Sequence, residues 1–283
     1  EQFTYKSGIV VKRLQQEGDT VLIYGKDLEG VPISPIKVSK VILASGAPSS
    51  TRIMLSTMGL VNKKVTLKSS DQYYLPLFTI SGSSSIDYEQ KHTMCQSYWV
   101  LQNPDVHKYL VHFSVYTHND LYEKAIKSIC GPSYNYIKAL AKIPLSRLHF
   151  MFCYLHSDDS GWLVSHLEND TNQTFKIEGI KNPRSKNIFL KARKVLQKAS
   201  FSTGLFPVPF YSGEKLPGAG NHFGGSLPMQ HKPINLQTDI LGRVPGLERV
   251  HVVDSSVFPS ITATTVTLSV MANAHRIASN INS

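Results

Sequence analysis

Cysteine is scarce in this chain and tryptophan scarcer, with three and two in 283 residues. Cys95, Cys130 and Cys153 are odd in number, widely spaced and form no Cys-x-x-Cys pair. That argues against a disulfide framework and for buried free thiols in a reducing compartment. No apolar run is long enough to span a bilayer, so no transmembrane segment is expected. The opening residues Glu1 to Lys6 lack the basic start and apolar stretch of a leader peptide. These features favour a cytoplasmic setting; a leader lying before Glu1 would make it periplasmic. Also missing is a Gly-x-Gly-x-x-Gly turn after a strand, which excludes a complete dinucleotide cradle. Gly218-Ala219-Gly220 has no glycine three residues on and no strand before it.

Acidic residues are the minority charge, 20 against 30 Lys and Arg, for a net charge of +10. A nucleic-acid binder would cluster that charge in a recognisable module. Here the densest basic stretch, Lys181 to Lys198, contains an amphipathic helix from Ile188 onward with a solvated basic face. Nucleic acid is therefore not an expected partner. The 41% hydrophobic content suits an ordinary globular chain with a real core.

The first forty residues read as a β-meander: Gly8 to Leu14 and Thr20 to Tyr24 are β-rich, with a turn at Glu17-Gly18-Asp19. Lys37 to Ala44 predicts one short strand buried on both faces, running into Ser45-Gly46 and a helix capped by Ser49 or Ser50 and ended by Gly59. Val250 to Asp254 repeats the pattern. After Pro259 comes a helix whose stripe is Val266, Val270, Ala274, Ile277 and Ile281. Between the two ends, six stretches read as strands of an antiparallel sheet with helices on one face: Tyr74 to Ile80, Cys95 to Leu101, Tyr109 to Tyr116, Leu148 to His156, Trp162 to His166 and Thr174 to Ile180. A capping box at Asp120 and Glu123 starts a helix among them. Aromatics of this region, including Tyr73, Tyr74, Phe78, Tyr98, Trp99, Phe113 and Phe152, suit either core packing or the wall of a substrate site.

His222 is the residue with the most chemistry about it. It stands in Gly220-Asn221-His222-Phe223-Gly224-Gly225-Ser226-Leu227-Pro228-Met229. A histidine flanked by glycines is a near-neutral base with no bulk beside it, and glycine lets a flat ligand come close. Spacing alone leaves open the plainer alternative of a glycine-rich structural loop. His107, His112 and His118 have no recognised metal-ligand spacing, and no metal site is expected.

Together, the His222 loop and the Val250 to Pro259 segment resemble the C-terminal signature of the glucose–methanol–choline family of flavin oxidoreductases. The matching features are His222, Gly225 three residues on, Ser226 four on and Met229 seven on. A histidine, one apolar residue and two glycines are most similar to the pyranose oxidases. The resemblance implies an FAD-dependent oxidation of CH–OH groups in an alcohol, sugar or polyol, with His222 as base. It places Asp254 and Ser255 at the diphosphate and ribityl part of FAD, Val266 at the flavin ring, Ala44 and Gly46 beside the cofactor and the Val11 backbone at adenine. Thr265 falls where the family carries an asparagine or histidine partner for the base. A threonine hydroxyl can orient a substrate but is no base at neutral pH; capping the helix is its other reading.

The implied fold class is α/β and α+β. An incomplete FAD-binding Rossmann-like domain (residues 1–68 and 206–283) holds between its two pieces an antiparallel-sheet substrate domain (residues 69–205). The family's N-terminal part would lie before Glu1. The expected partners are therefore that missing segment of the same protein, or a partner subunit, and a small alcohol or sugar. Whether this chain alone holds FAD stays open, as do two rivals: a redox-silent lyase on the same fold, and a flavin-free interaction fragment.

Overall fold

The computed structural model describes residues 3–81, 95–117, 124, 127–128, 130–136, 146–169, 173–208 and 213–281. The meander forms as its pattern predicts. Strands β1 (Val10–Glu17) and β2 (Thr20–Lys26) pair antiparallel around Gly18, whose φ of +56° suits the tight turn. β3 (Ile36–Val38) adds to β2.

The stretch expected as one strand is broken at Ser39-Lys40. β4 (Val41–Leu43) leaves the meander and runs parallel to Val250–Val252, so the two halves belong to different sheets. Nor is β4 buried on both faces. Val41 and Leu43 enter the core while Ile42 is 53% exposed; on that outer face only its neighbour His251 is covered, with Nδ1 3.0 Å from the Leu241 carbonyl oxygen.

Helix α1 (Ala47–Thr57) starts at Gly46, not at a serine cap. Gly46 has a φ of +82°, which a β-carbon disfavours, and Ser50 sits inside the first turn with its hydroxyl turned to Asp254. Met58 caps the far end and Gly59 follows at φ +65°. Next comes β5 (Val65–Ser69), which the sequence reading missed.

All six expected central strands form, each end within two residues of its predicted place: β6 (Gln72–Thr79), β7 (Ser97–Leu101), β8 (Val111–Thr117), β9 (Leu148–Tyr154), β10 (Trp162–Leu167) and β11 (Phe175–Ile180). They do not make one sheet. β6, β9, β8 and β7 lie side by side in that order, whereas β10 pairs with β5 on one side and β11 on the other. The capping box at Asp120 and Glu123 lies outside the described residues.

Helix α2 (Pro183–Lys198) begins earlier than its apolar stripe suggested, because the Asn182 side chain caps it at Arg184 N–H. Its buried Ile188, Phe189, Ala192 and Leu196 pack on one face of the main sheet, against Tyr73, Leu75, Leu77, Phe113 and Met151. Tyr73 and Phe189 stack with ring centroids 4.4 Å apart. The short helix α3 (Ser200–Thr203) leads into β12 (Leu205–Pro207), and β12 and β13 (Gly213–Glu214) both pair with β6. β14 (Phe223–Gly224) closes the second sheet against β5. β15 (Val250–Val252) is the partner of β4. Helix α4 (Thr267–Asn280) ends the described chain.

The described residues thus form a mixed α/β structure dominated by antiparallel sheets, with β4 and β15 running parallel. The sheet β11-β10-β5-β14 draws strands from all three segments of the expected domain division, and β5 straddles the boundary at 68/69. On α4 only Ile277 of the predicted stripe is fully buried. Leu268 and Met271 stand 77% and 63% exposed. Among the described residues, no helix is long and apolar enough to cross a membrane.

Candidate functional site

The site is assembled where the His222 loop is stitched to the turn after β15. The amides of Gly225, Leu227 and Met229 donate in turn to the carbonyls of Ser255, Ser256 and Val257, at 3.0, 2.9 and 2.9 Å. Ser255 Oγ adds a bond to the Phe223 carbonyl at 2.8 Å. The two segments lie so close that a β-carbon on Gly224 would fall 2.1 Å from the Ser255 carbonyl oxygen. One on Gly225, whose φ is +68°, would meet Phe258 O at 3.0 Å and the Lys68 side chain at 3.3 Å. The glycines that suggested room for a flat ligand therefore serve the protein's own packing.

Asp254 holds this turn to α1. Its Oδ2 accepts from Gly46 N–H (3.0 Å) and Ser50 Oγ (2.5 Å), and its Oδ1 from the Ser256 amide (3.0 Å) and hydroxyl (2.5 Å). The carboxylate is buried and fully occupied inside the protein. It caps a turn and clips together the carboxyl ends of the parallel strands β4 and β15, the edge where ligands bind in α/β sheets.

His222 projects toward the main sheet. Its carbonyl accepts from Ser70 N–H at 2.9 Å, and Asn221 before it takes a left-handed φ of +58°. The ring lies 5.2 Å from that of Tyr154, and its Nδ1 is buried with no hydrogen-bond partner. Burial first, and the nearby His112 second, hold the imidazole below its ordinary pKa. His222 is therefore neutral at pH 7 and free to take a proton.

The face of the main sheet beneath His222 is the one turned away from α2. Strand alternation sorts the aromatics: Tyr73 and Phe113 are core against α2, with Trp99 packed on that side, while Tyr74, Phe78, Tyr98 and Phe152 share the other face. Gln72, Tyr154 and His112 form one row across this face, on three adjacent strands. They were not singled out by sequence. The available signal was an even-numbered row of polar groups in strands whose odd positions are apolar, visible only once register is known.

The remaining predicted site residues fall into two groups. The Val11 carbonyl accepts from the Arg52 guanidinium, and Ser255 and Asp254 are occupied as described. Ala44 is exposed at the end of β4, and space is open around Gly46, where a β-carbon would meet nothing within 4 Å. Val266 is the N-cap of α4, with no side-chain cap from Thr264 or Thr265, and helps line a cavity of about 190 Å³ with Phe258, Pro259, Ser260, Thr262 and Ser269. Thr265 is exposed beside it. Ala44 and Gly46 thus stand clear of other groups after β4, and Val266 stands at the N-terminus of α4, which carries partial positive charge. A diphosphate cradle is not among these residues. Nor is there, among the described residues, a group of three His, Cys, Asp or Glu that could hold a metal.

Residues 183–274 match the family model described as GMC oxidoreductase; they include His222, the Asp254 turn and the start of α4. Among solved structures, the chain is similar in fold to pyridoxine 4-oxidase from Mesorbium loti, with a TM-score of 0.59 and 13% identity, over 97% of this chain and 57% of that one. The chain therefore spans little more than half the length of that relative. No curated protein matches it in sequence.

Proposed function

We propose that this chain is the base-bearing, substrate-binding portion of an FAD-dependent oxidoreductase that acts on CH–OH groups. The observation that carries the reading is His222: a neutral imidazole with an unpartnered buried nitrogen, on a loop stitched to a turn at the carboxyl ends of two parallel strands. The family match over residues 183–274 includes both parts of that arrangement.

In this reading His222 takes the hydroxyl proton of an alcohol, sugar or polyol as the carbinol carbon loses hydride, leaving a carbonyl. Bound FAD supplies the hydride acceptor. Holding the hydroxyl against His222 in an oriented complex removes much of the barrier. Thr265, exposed beside the start of α4, orients the substrate hydroxyl by a hydrogen bond. Ala44, Gly46 and Val266 would lie against the cofactor, with the Val11 segment and the Asp254–Ser255 turn supporting it through backbone. Residues 1–68 and 206–283 form the cofactor side and 69–205 the substrate side, with the sheet β11-β10-β5-β14 as their seam. The diphosphate cradle comes from a segment preceding Glu1 or from a partner subunit. That segment covers Ile42, Leu268 and Met271, which are apolar and exposed. The pyranose-oxidase-like order of the His222 loop favours sugar over simple alcohol.

The test is anaerobic flavin reduction by the full polypeptide with a panel of alcohols and sugars. His222→Ala should slow reduction on the order of a thousandfold while leaving FAD bound. An unchanged rate in that variant would remove His222 as base.

A further inference from the structure

Three of the buried side-chain atoms without a partner converge on one patch: Gln72 Oε1, His112 Nδ1 and His222 Nδ1. Gln72 and His112 are each only 8% exposed. Between them lies Tyr154, directly opposite both in register, with its ring 5.2 Å from His222 and 6.1 Å from His112. Gln72 Nε2 donates to Tyr154 Oη at 2.6 Å. The tyrosine oxygen is thereby an acceptor toward Gln72, and its own O–H proton points elsewhere. His112 Nε2 lies 3.2 Å from Ser114 Oγ, which fixes that end of the ring and leaves Nδ1 open.

Buried polar groups are costly to leave unpaired, so a protein that keeps several on one patch has a partner for them. The patch itself defines that partner. It offers an amide oxygen that accepts, a phenol that donates and imidazole nitrogens that do either. A hydroxyl group both donates and accepts. No formal charge stands among these groups at neutral pH: Tyr154 is pushed up to about 12 by burial, and burial holds His112 and His222 low. A charged ligand would find no counter-charge here, and a hydrocarbon would strand every one of these atoms. Neighbouring hydroxyls along a carbon chain or ring satisfy them.

We propose that Gln72, Tyr154 and His112 form a hydroxyl-recognition subsite beside His222, so that the substrate is a polyhydroxylated compound, a sugar or polyol, and not an apolar alcohol. This rests on the reading of His222 as the base of a CH–OH oxidation. One hydroxyl of the substrate meets His222, and those next to it are read by the row across the sheet. Removing one such contact at a buried site costs about tenfold or more in discrimination, because the group left behind stays desolvated and unpaired.

The test uses the full polypeptide with its FAD and four probes: D-sorbitol, D-glucose, hexan-1-ol and benzyl alcohol. Two signals are read separately: perturbation of the histidine ring resonances by each probe, and anaerobic bleaching of the flavin. Sorbitol or glucose should shift the His112 and His222 resonances and bleach the flavin. In Gln72→Leu and His112→Leu, the ratio of kcat/KM for sorbitol over hexan-1-ol should fall about tenfold or more. Tyr154→Phe keeps the ring and the packing and should lower the same ratio, which secures the test should either leucine variant fold poorly. Equal bleaching by hexan-1-ol and sorbitol, or a ratio unchanged in all three variants, overturns the subsite and leaves the oxidoreductase reading standing. Resonance shifts with sorbitol or glucose but no bleaching by any probe would keep the subsite and overturn the oxidation. Neither shift nor bleaching with sorbitol and glucose overturns the subsite.

Discussion

Gly224 and Ser255 are in backbone contact: the Ser255 carbonyl oxygen lies where a β-carbon on Gly224 would stand, at 2.1 Å. The contact locks the His222 loop to the turn at the end of β15. Gly224→Ala must push the two segments apart and disrupt the bonds from Gly225 and Leu227 to Ser255 and Ser256. Overpacking of this kind costs about 3 kcal/mol. Urea denaturation of wild type and variant measures it, and a difference under ~0.5 kcal/mol would show the loop to be looser than described.

Asp254 binds together parts of the chain some two hundred residues apart. Four donors from Gly46, Ser50 and Ser256 converge on its buried carboxylate. Asp254→Ala leaves the Gly46 and Ser256 amides and the Ser256 hydroxyl without this acceptor, and the Ser50 hydroxyl with only Ser45 Oγ, at 2.9 Å. Hydrogen bonds to a charged group contribute roughly 1.5–3 kcal/mol each, though not additively, so a loss of at least about 3 kcal/mol is expected. Hydrogen exchange should quicken at the Gly46 and Ser256 amides in particular. Protection unchanged at both would mean that other contacts hold the turn.

The central strands were readable because β-branched and aromatic residues mark them locally, and α2 because its apolar stripe repeats at helical spacing. What sequence concealed was long-range. The break at Ser39-Lys40 has no Gly or Pro to announce it; it exists because Val250–Val252 competes for Val41–Leu43. Ser50 looked like a cap because the acceptor of its hydroxyl, Asp254, is remote in sequence. His222 stood out through its glycines, yet those glycines answer to Ser255 and Phe258 rather than to a ligand. The row Gln72, Tyr154 and His112 arises from strand register, which no local pattern encodes.

Five histidines, His112, His149, His156, His222 and His251, are held below their ordinary pKa, in each case chiefly by burial. In the unfolded chain they protonate near ~6.5. Between that value and their lower folded values the unfolded state binds more protons, so stability rises with pH there. It should be fully present above about pH 7.5 and fall as pH drops through about 6.5, levelling off below the folded values. Asp71 acts in the opposite sense, since burial raises its pKa above the ordinary carboxylate value. Urea midpoints at several values between about pH 8 and pH 5.5 test this; a midpoint that stays level or climbs on acidification contradicts it.

Leu268 and Met271, one turn apart on α4, distinguish packing within this chain from packing against something else. At 77% and 63% exposure they contribute almost nothing to the chain as it stands. Leu268→Glu should therefore change the stability of residues 1–283 by less than ~0.5 kcal/mol, the range of ordinary surface substitutions. In the full polypeptide the proposed upstream segment covers this face, and burying a leucine is worth about 1.5–3 kcal/mol. There the same substitution should be destabilising by about that much and should weaken FAD retention, read from the flavin absorbance left after desalting. Equal, small effects in both contexts would mean that α4 keeps this face in water and that the cofactor-bearing segment docks elsewhere.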